Sequence, residues 1–128
     1  MSTTKTPVSS KIDPRASLMF VLDQNIEMAD ETIVAFSEKI KENAVYALEW
    51  SEKVFRAAAI KELSVQVRNA VNANIPLADI AADLMKDILR DASVPACSSQ
   101  ADNLMKLYIR SARTGMYENV ASAAKREA

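Results

Sequence analysis

PRASLMFVLDQNIEMADETIVAFSEKIKENAVYALEWSEKVFRAAAIKELSVQVRNAVNAN, residues 14–74, is the stretch whose reading decides the fold. It contains no glycine and, after Pro14, no proline. Met19, Ile26, Ile33, Ile40, Ala47 and Val54 recur at every seventh position. Leu22, Ala29, Phe36, Asn43, Trp50 and Ala57 follow each of them by three. An a/d pattern of this kind, with one polar member, belongs to a helix packed lengthwise against other helices. After Ala57 the seam slips by one residue to Ile60, Leu63, Val67 and Ala70, which locally changes a supercoil.

Asp13 before Pro14 predicts the start of this helix, with Asp as N-cap and Pro in the first turn. Asn72 and Asn74, just before Ile75-Pro76, predict its end. Two readings of the interior compete. Asp23, Glu27 and Glu31 stack at i,i+4 and repel, which argues for a break near Asp30 with that residue capping a second helix. The seam runs through the spot unshifted, which argues for one continuous helix. A continuous helix would be about 90 Å long at ~1.5 Å per residue, whereas a compact domain of this size has a radius of gyration near ~14 Å. Either the helix breaks and a four-helix bundle forms, or its uncovered part pairs with other copies. The second option predicts self-association through Met19, Leu22, Ile26, Ile33, Phe36, Ile40, Trp50 and Val54, with Asn43 fixing the register. The all-apolar run 18–22 predicts a segment wedged between several helices or protomers.

Composition supports an all-α fold. The chain has 128 residues, 49% of them apolar, enough for one domain with a real core. It has one glycine, and sheets joined by tight turns depend on glycine. Residues 1–12, rich in Ser, Thr and Lys, read as an extended N-terminal arm ahead of a single helical domain over 13–128. Pro76 opens a second helix with the apolar stripe Leu77, Ile80, Ala81, Leu84, Ile88 and Leu89. Asp79, Asp83, Asp87 and Asp91 form an acidic row along it, and Val94-Pro95 stops it. Ser99, with Asp102 three residues on, resembles a capping box for a third helix over 100–125. The second and third helices are predicted to fold back as a C-terminal hairpin. On the third, Ser111, Ala112 and Gly115 form a small-residue patch where another backbone could approach closely.

The same inventory excludes most chemistry. There is no histidine, so neither imidazole catalysis nor a His-containing metal site is available. The single cysteine, Cys97, builds no thiolate cluster or internal disulfide and has no activating neighbour in sequence. The aspartate row lacks the wrapping loop of a calcium site, and the glutamate pairs Glu38/Glu42 and Glu49/Glu52 lack the histidines of a carboxylate-bridged di-metal site. No Gly-rich phosphate loop can be built. No cofactor, metal or small-molecule substrate is expected, and the chain is expected not to be an enzyme.

With a net charge of -1 there is no global attraction to nucleic acid. Lys106, Arg110 and Arg113 form the one basic helix face, and pairing with an acidic face, the aspartate row or the Asp23–Glu31 patch of another copy, accounts for it better than a nucleic-acid site. The longest apolar run, residues 18–22, is far short of the ~20 residues of a membrane span, and residues 1–7 have no secretory core. A cytoplasmic location is the expectation.

Two short segments resemble known families. Residues 42–50, ENAVYALEW, with the alanine-rich segment after them, look like the helical body of phasins, which coat polyester storage granules. Leu107-Tyr108 with Gly115 and Glu118-Asn119 is similar to proteins of R-bodies, the coiled bacterial ribbons. Residues 76–98 match neither, and no functional residue is carried over from either. The leading expectation is a non-enzymatic structural or interaction protein that self-assembles through its long amphipathic helix. An amphipathic coat on an apolar surface, as the phasin likeness implies, and a nucleic-acid binder using the basic face are the alternatives.

Overall fold

A computed structural model describes residues 13–93 and 100–127. Four helices, α1 (Pro14–Glu42), α2 (Tyr46–Asn72), α3 (Leu77–Ser93) and α4 (Gln100–Glu127), make up the described residues, which contain no strand. The arm 1–12, Cys97, the Val94-Pro95 stop and the Ser99 cap lie outside them. The fold is an all-α bundle.

The first helix starts where the sequence places it: Asp13 Oδ1 accepts a bond from the Arg15 amide at 3.0 Å. It then runs unbroken past Asp30. The repulsion expected there is relieved from outside, because Arg68 of α2 meets Asp23 at 3.1 Å and Lys61 meets Asp30 at 2.5 Å. The helix over 14–74 is nevertheless not continuous. It breaks at Asn43, whose backbone is extended at φ −161°, ψ 117°. The Asn43 amide still donates to the Lys39 carbonyl at 3.0 Å, while its side-chain Oδ1 accepts from the Val45 amide at 3.0 Å. An asparagine side chain competes with the helix by making such local bonds. So Asn43, predicted as the polar member of a continuous seam, is instead the exposed residue at which the chain reverses.

Reversal makes α1 and α2 an antiparallel hairpin. Asp23 and Asp30 lie seven residues apart on one helix, as do Lys61 and Arg68 on the other, so the two ion pairs share a single register. The α2–α3 turn is a Schellman motif. Asn74 takes the left-handed conformation at φ 62°, the Ile75 amide reaches the Ala70 carbonyl at 3.2 Å, and the Asn74 amide reaches Val71 at 3.0 Å. Arg15 joins the chain's two ends of the bundle, donating to the Ile75 carbonyl at 2.8 Å and to Glu127 at 2.7 Å.

The core gathers at that same end. Leu18 and Leu22 of α1, Leu63, Val67 and Val71 of α2, Leu77, Ile80, Ala81 and Leu84 of α3, and Met116, Val120 and Ala123 of α4 form one buried cluster. The run 18–22 is wedged only in part, since Leu18 and Leu22 are buried but Phe20 stays 63% exposed and Val21 stays exposed too. Leu89, predicted in the buried stripe of α3, is exposed as well. α3 has 17 residues against 29 in α1, so at ~1.5 Å per residue it is about 25 Å long and the hairpin about 44 Å. It ends where Asp91 meets Arg113, and Arg113 shares a small cleft with Ala59 and Leu63 of α2. Among the described residues α3 packs chiefly on α4, with few close approaches to α2 and none to α1.

Candidate functional site

The half of the hairpin nearer the Asn43 turn carries the features that ask for an explanation. On the side facing α4, α1 contributes Met28, Ala29 and Thr32, and α2 contributes Trp50, Ala57 and Ile60, to a groove of about 410 Å³. α4 packs most on α3, then on α2, then on α1, and Asn25 lies where α1 and α4 face each other. There the groove adjoins a second cleft of about 220 Å³, in which Asn25, Arg56 and Ile60 face Tyr108 and Gly115 of α4.

Beside the neutral Asn25 and Thr32, the charged groups among the groove's described lining residues are the cations Lys53 and Arg56, with no carboxylate. The Lys53 ammonium lies 4.7 Å from the Trp50 ring centroid, and the Arg56 guanidinium lies 5.4 Å from that of Tyr108 while pairing with Glu52 at 3.0 Å. Such contacts hold a cation over an aromatic face without using up its hydrogen-bond donors. Tyr108 is buried, and burial together with the charge and hydrogen bond of Glu52 raises its hydroxyl above the ordinary phenol value.

The opposite side of the same hairpin is acidic. Asp23, Glu27, Asp30, Glu31 and Glu38 surround a shallow depression with Ile26, Val34 and Arg68. Asp23 and Asp30 are neutralised by α2, while Glu27, Glu31 and Glu38 are exposed and without an ion-pair partner among the described residues. The two-helix layer is thus apolar with a cationic rim on one side and apolar with an acidic rim on the other.

The predicted contact residues are distributed between these surfaces and the core. Leu22 is fully buried within one chain, which leaves it no surface to offer a second copy. Met19 packs against the core cluster, and Ile26, Ile33, Phe36, Ile40 and Val54 are half-buried. The seam is therefore largely taken up by the packing of α1 on α2 in one chain. Trp50, half-exposed, lines the groove. Met28, Lys53, Arg56, Ile60 and Tyr108 were not among the predicted contacts. Met28 lies outside the heptad seam and is 65% exposed.

Of the basic face, Arg113 forms an ion pair with Asp91, the last member of the aspartate row, and Arg110 donates to the Asp91 carbonyl at 3.0 Å. Lys106 lines the same small pocket. Asp87 is taken by Arg90 at 2.7 Å. Gly115 is not explained by close packing, because a Cβ placed there meets nothing within 4 Å. Among the described residues no three acidic or sulfur side chains converge as metal ligands, and no helix is long and apolar enough to cross a membrane. No protein-family model, curated protein or solved structure matches this chain. What the arrangement can do chemically is receive an apolar ridge between two helices and hold carboxylates at its rim.

Proposed function

We propose that this chain is a non-enzymatic structural or interaction protein that self-associates through the half of the α1–α2 hairpin nearer the Asn43 turn. The observation that carries the reading is the apolar groove of Met28, Trp50, Ala57 and Ile60, open along a hairpin whose other half is covered by helices of the same chain. Phe55, Val45 and Val34, 42%, 60% and 57% exposed, add further apolar surface to the same half. Patches of this kind mark interaction surfaces in proteins that are otherwise well packed. The site offers no nucleophile, base or oxyanion donor set that would favour an enzyme. A nucleic-acid role gains little, since Arg110 and Arg113 are engaged with Asp91.

Light scattering across a concentration series tests the reading. The expected result is a mass that rises above the 14.1 kDa of one chain as concentration increases. A single-chain mass at every concentration refutes it. Binding to lipid or polymer particles by a protein that stays monomeric would move the conclusion to a surface coat.

A further inference from the structure

We infer that self-association is head-to-tail: the acidic ridge on the outer side of α1 of one copy docks into the cationic groove of the next, giving an open-ended stack rather than a closed dimer. The inference rests on the self-association reading and names its two surfaces. Glu27 and Glu31 are one helical turn apart on α1, Glu38 lies two turns further on, and Val34 sits between them, exposed. These three carboxylates have no partner among the described residues, in contrast to Asp23 and Asp30 beside them. The groove on the other side of the hairpin has the complementary makeup, with an apolar floor, the cations Lys53 and Arg56, the latter also paired with Glu52, and no carboxylate among its described lining residues.

Geometry favours a helix as the occupant. A helix packs at 8–10 Å from its neighbours with its side-chain ridge between theirs, which suits the space between two paired helices. The groove also continues a seat that a helix already occupies, because nearer the core α4 covers this side of the hairpin. A second copy supplies a helix of the required charge. Like surfaces would not do: groove against groove brings Lys53 and Arg56 toward their own copies, and ridge against ridge brings together the free glutamates. Each copy offers both surfaces, on opposite sides of the same two-helix layer. A contact between two different patches propagates unless the rotation happens to close a ring.

Charge reversal on exposed positions tests this without touching the core. The ridge variant is Glu27→Lys/Glu31→Lys and the groove variant is Lys53→Glu. For the wild type the mass should climb with concentration past that of a dimer and fall as salt screens the contact. Each variant alone should remain at the mass of one chain, with its association weakened at least tenfold. An equimolar mixture should regain growth, because each variant's altered surface now complements the other's. If the wild type assembles but the ridge variant assembles equally well, or the mixture fails to grow, head-to-tail docking is overturned while self-association stands. A wild type that is monomeric throughout overturns both.

Discussion

Replacing Asn43 with leucine should convert the hairpin into a domain-swapped dimer. The reversal between α1 and α2 depends on one extended residue, since Val45 already has helical angles of φ −60°, ψ −28°. Holding Asn43 out of the helix is its bond to the Val45 amide at 3.0 Å. Loss of such a bond costs about 1 kcal/mol, and leucine favours the helix over asparagine by roughly 0.5 kcal/mol. In a swapped dimer α1 of each copy packs on α2 of the other, so the contacts of the hairpin are kept and the hinges account for the difference. Two hinges give about 3 kcal/mol per dimer, roughly a hundredfold in the monomer–dimer equilibrium. Light scattering should find a dimer that persists on dilution. Small-angle scattering should find a maximum dimension near ~90 Å, the length of one helix through both segments at ~1.5 Å per residue. An Asn43→Leu protein with the parent's mass profile and dimension would refute the claim that this side chain sets the reversal.

Leu22→Ala removes a fully buried side chain and should lower unfolding free energy by about 3 kcal/mol in urea titration; a loss under about 1 kcal/mol would mean that the site collapses freely. Gly115→Ala should raise stability by about 0.5–1 kcal/mol, because the methyl meets nothing within 4 Å and the helix gains an alanine; a loss instead would point to a neighbour that this single chain lacks. Tyr108 has a hydroxyl pKa raised by burial and by Glu52, so its contribution is complete below pH 10 and declines as pH rises from there through the folded-state value. Absorbance titration should therefore show one late phenol. Tyr108→Phe should remove that part of the alkaline loss of stability, and an unchanged alkaline limb would exclude Tyr108 as its source.

Helix starts and stops were legible where a local bond makes them. Asp13-Pro14 and Asn74 before Pro76 carry their reasons in their own side chains and backbone preferences. The break at Asn43 was not legible, because the heptad passes through it unshifted and an asparagine at a d position also fits a continuous coiled coil. A repeat of apolar residues states that a helix has a partner without stating whether the partner is the next segment or another chain. Charge was more informative: the basic face of α4 was expected against the aspartate row or another copy's patch, and Arg113 meets Asp91. Met28 escaped notice because it lies off the heptad seam, whereas Ile60 was read as a seam member and lies half-buried in the lining of the groove.

The crowding of the core at one end has a consequence for motion. Leu22, Leu77 and Val120, each 0% exposed, anchor the end that Arg15 ties together, while the Asn43 end is held by half-buried side chains and ion pairs. Opening energies within one fold range from almost nothing to the full unfolding free energy, following local burial. Amides near the turn should thus exchange with solvent through small local openings, and those around Leu22 and Val120 only through global unfolding. The softer end is also the one with the open groove. Anything seated there would bind the closed hairpin and not the opened one, and so would stiffen it in proportion to its own concentration.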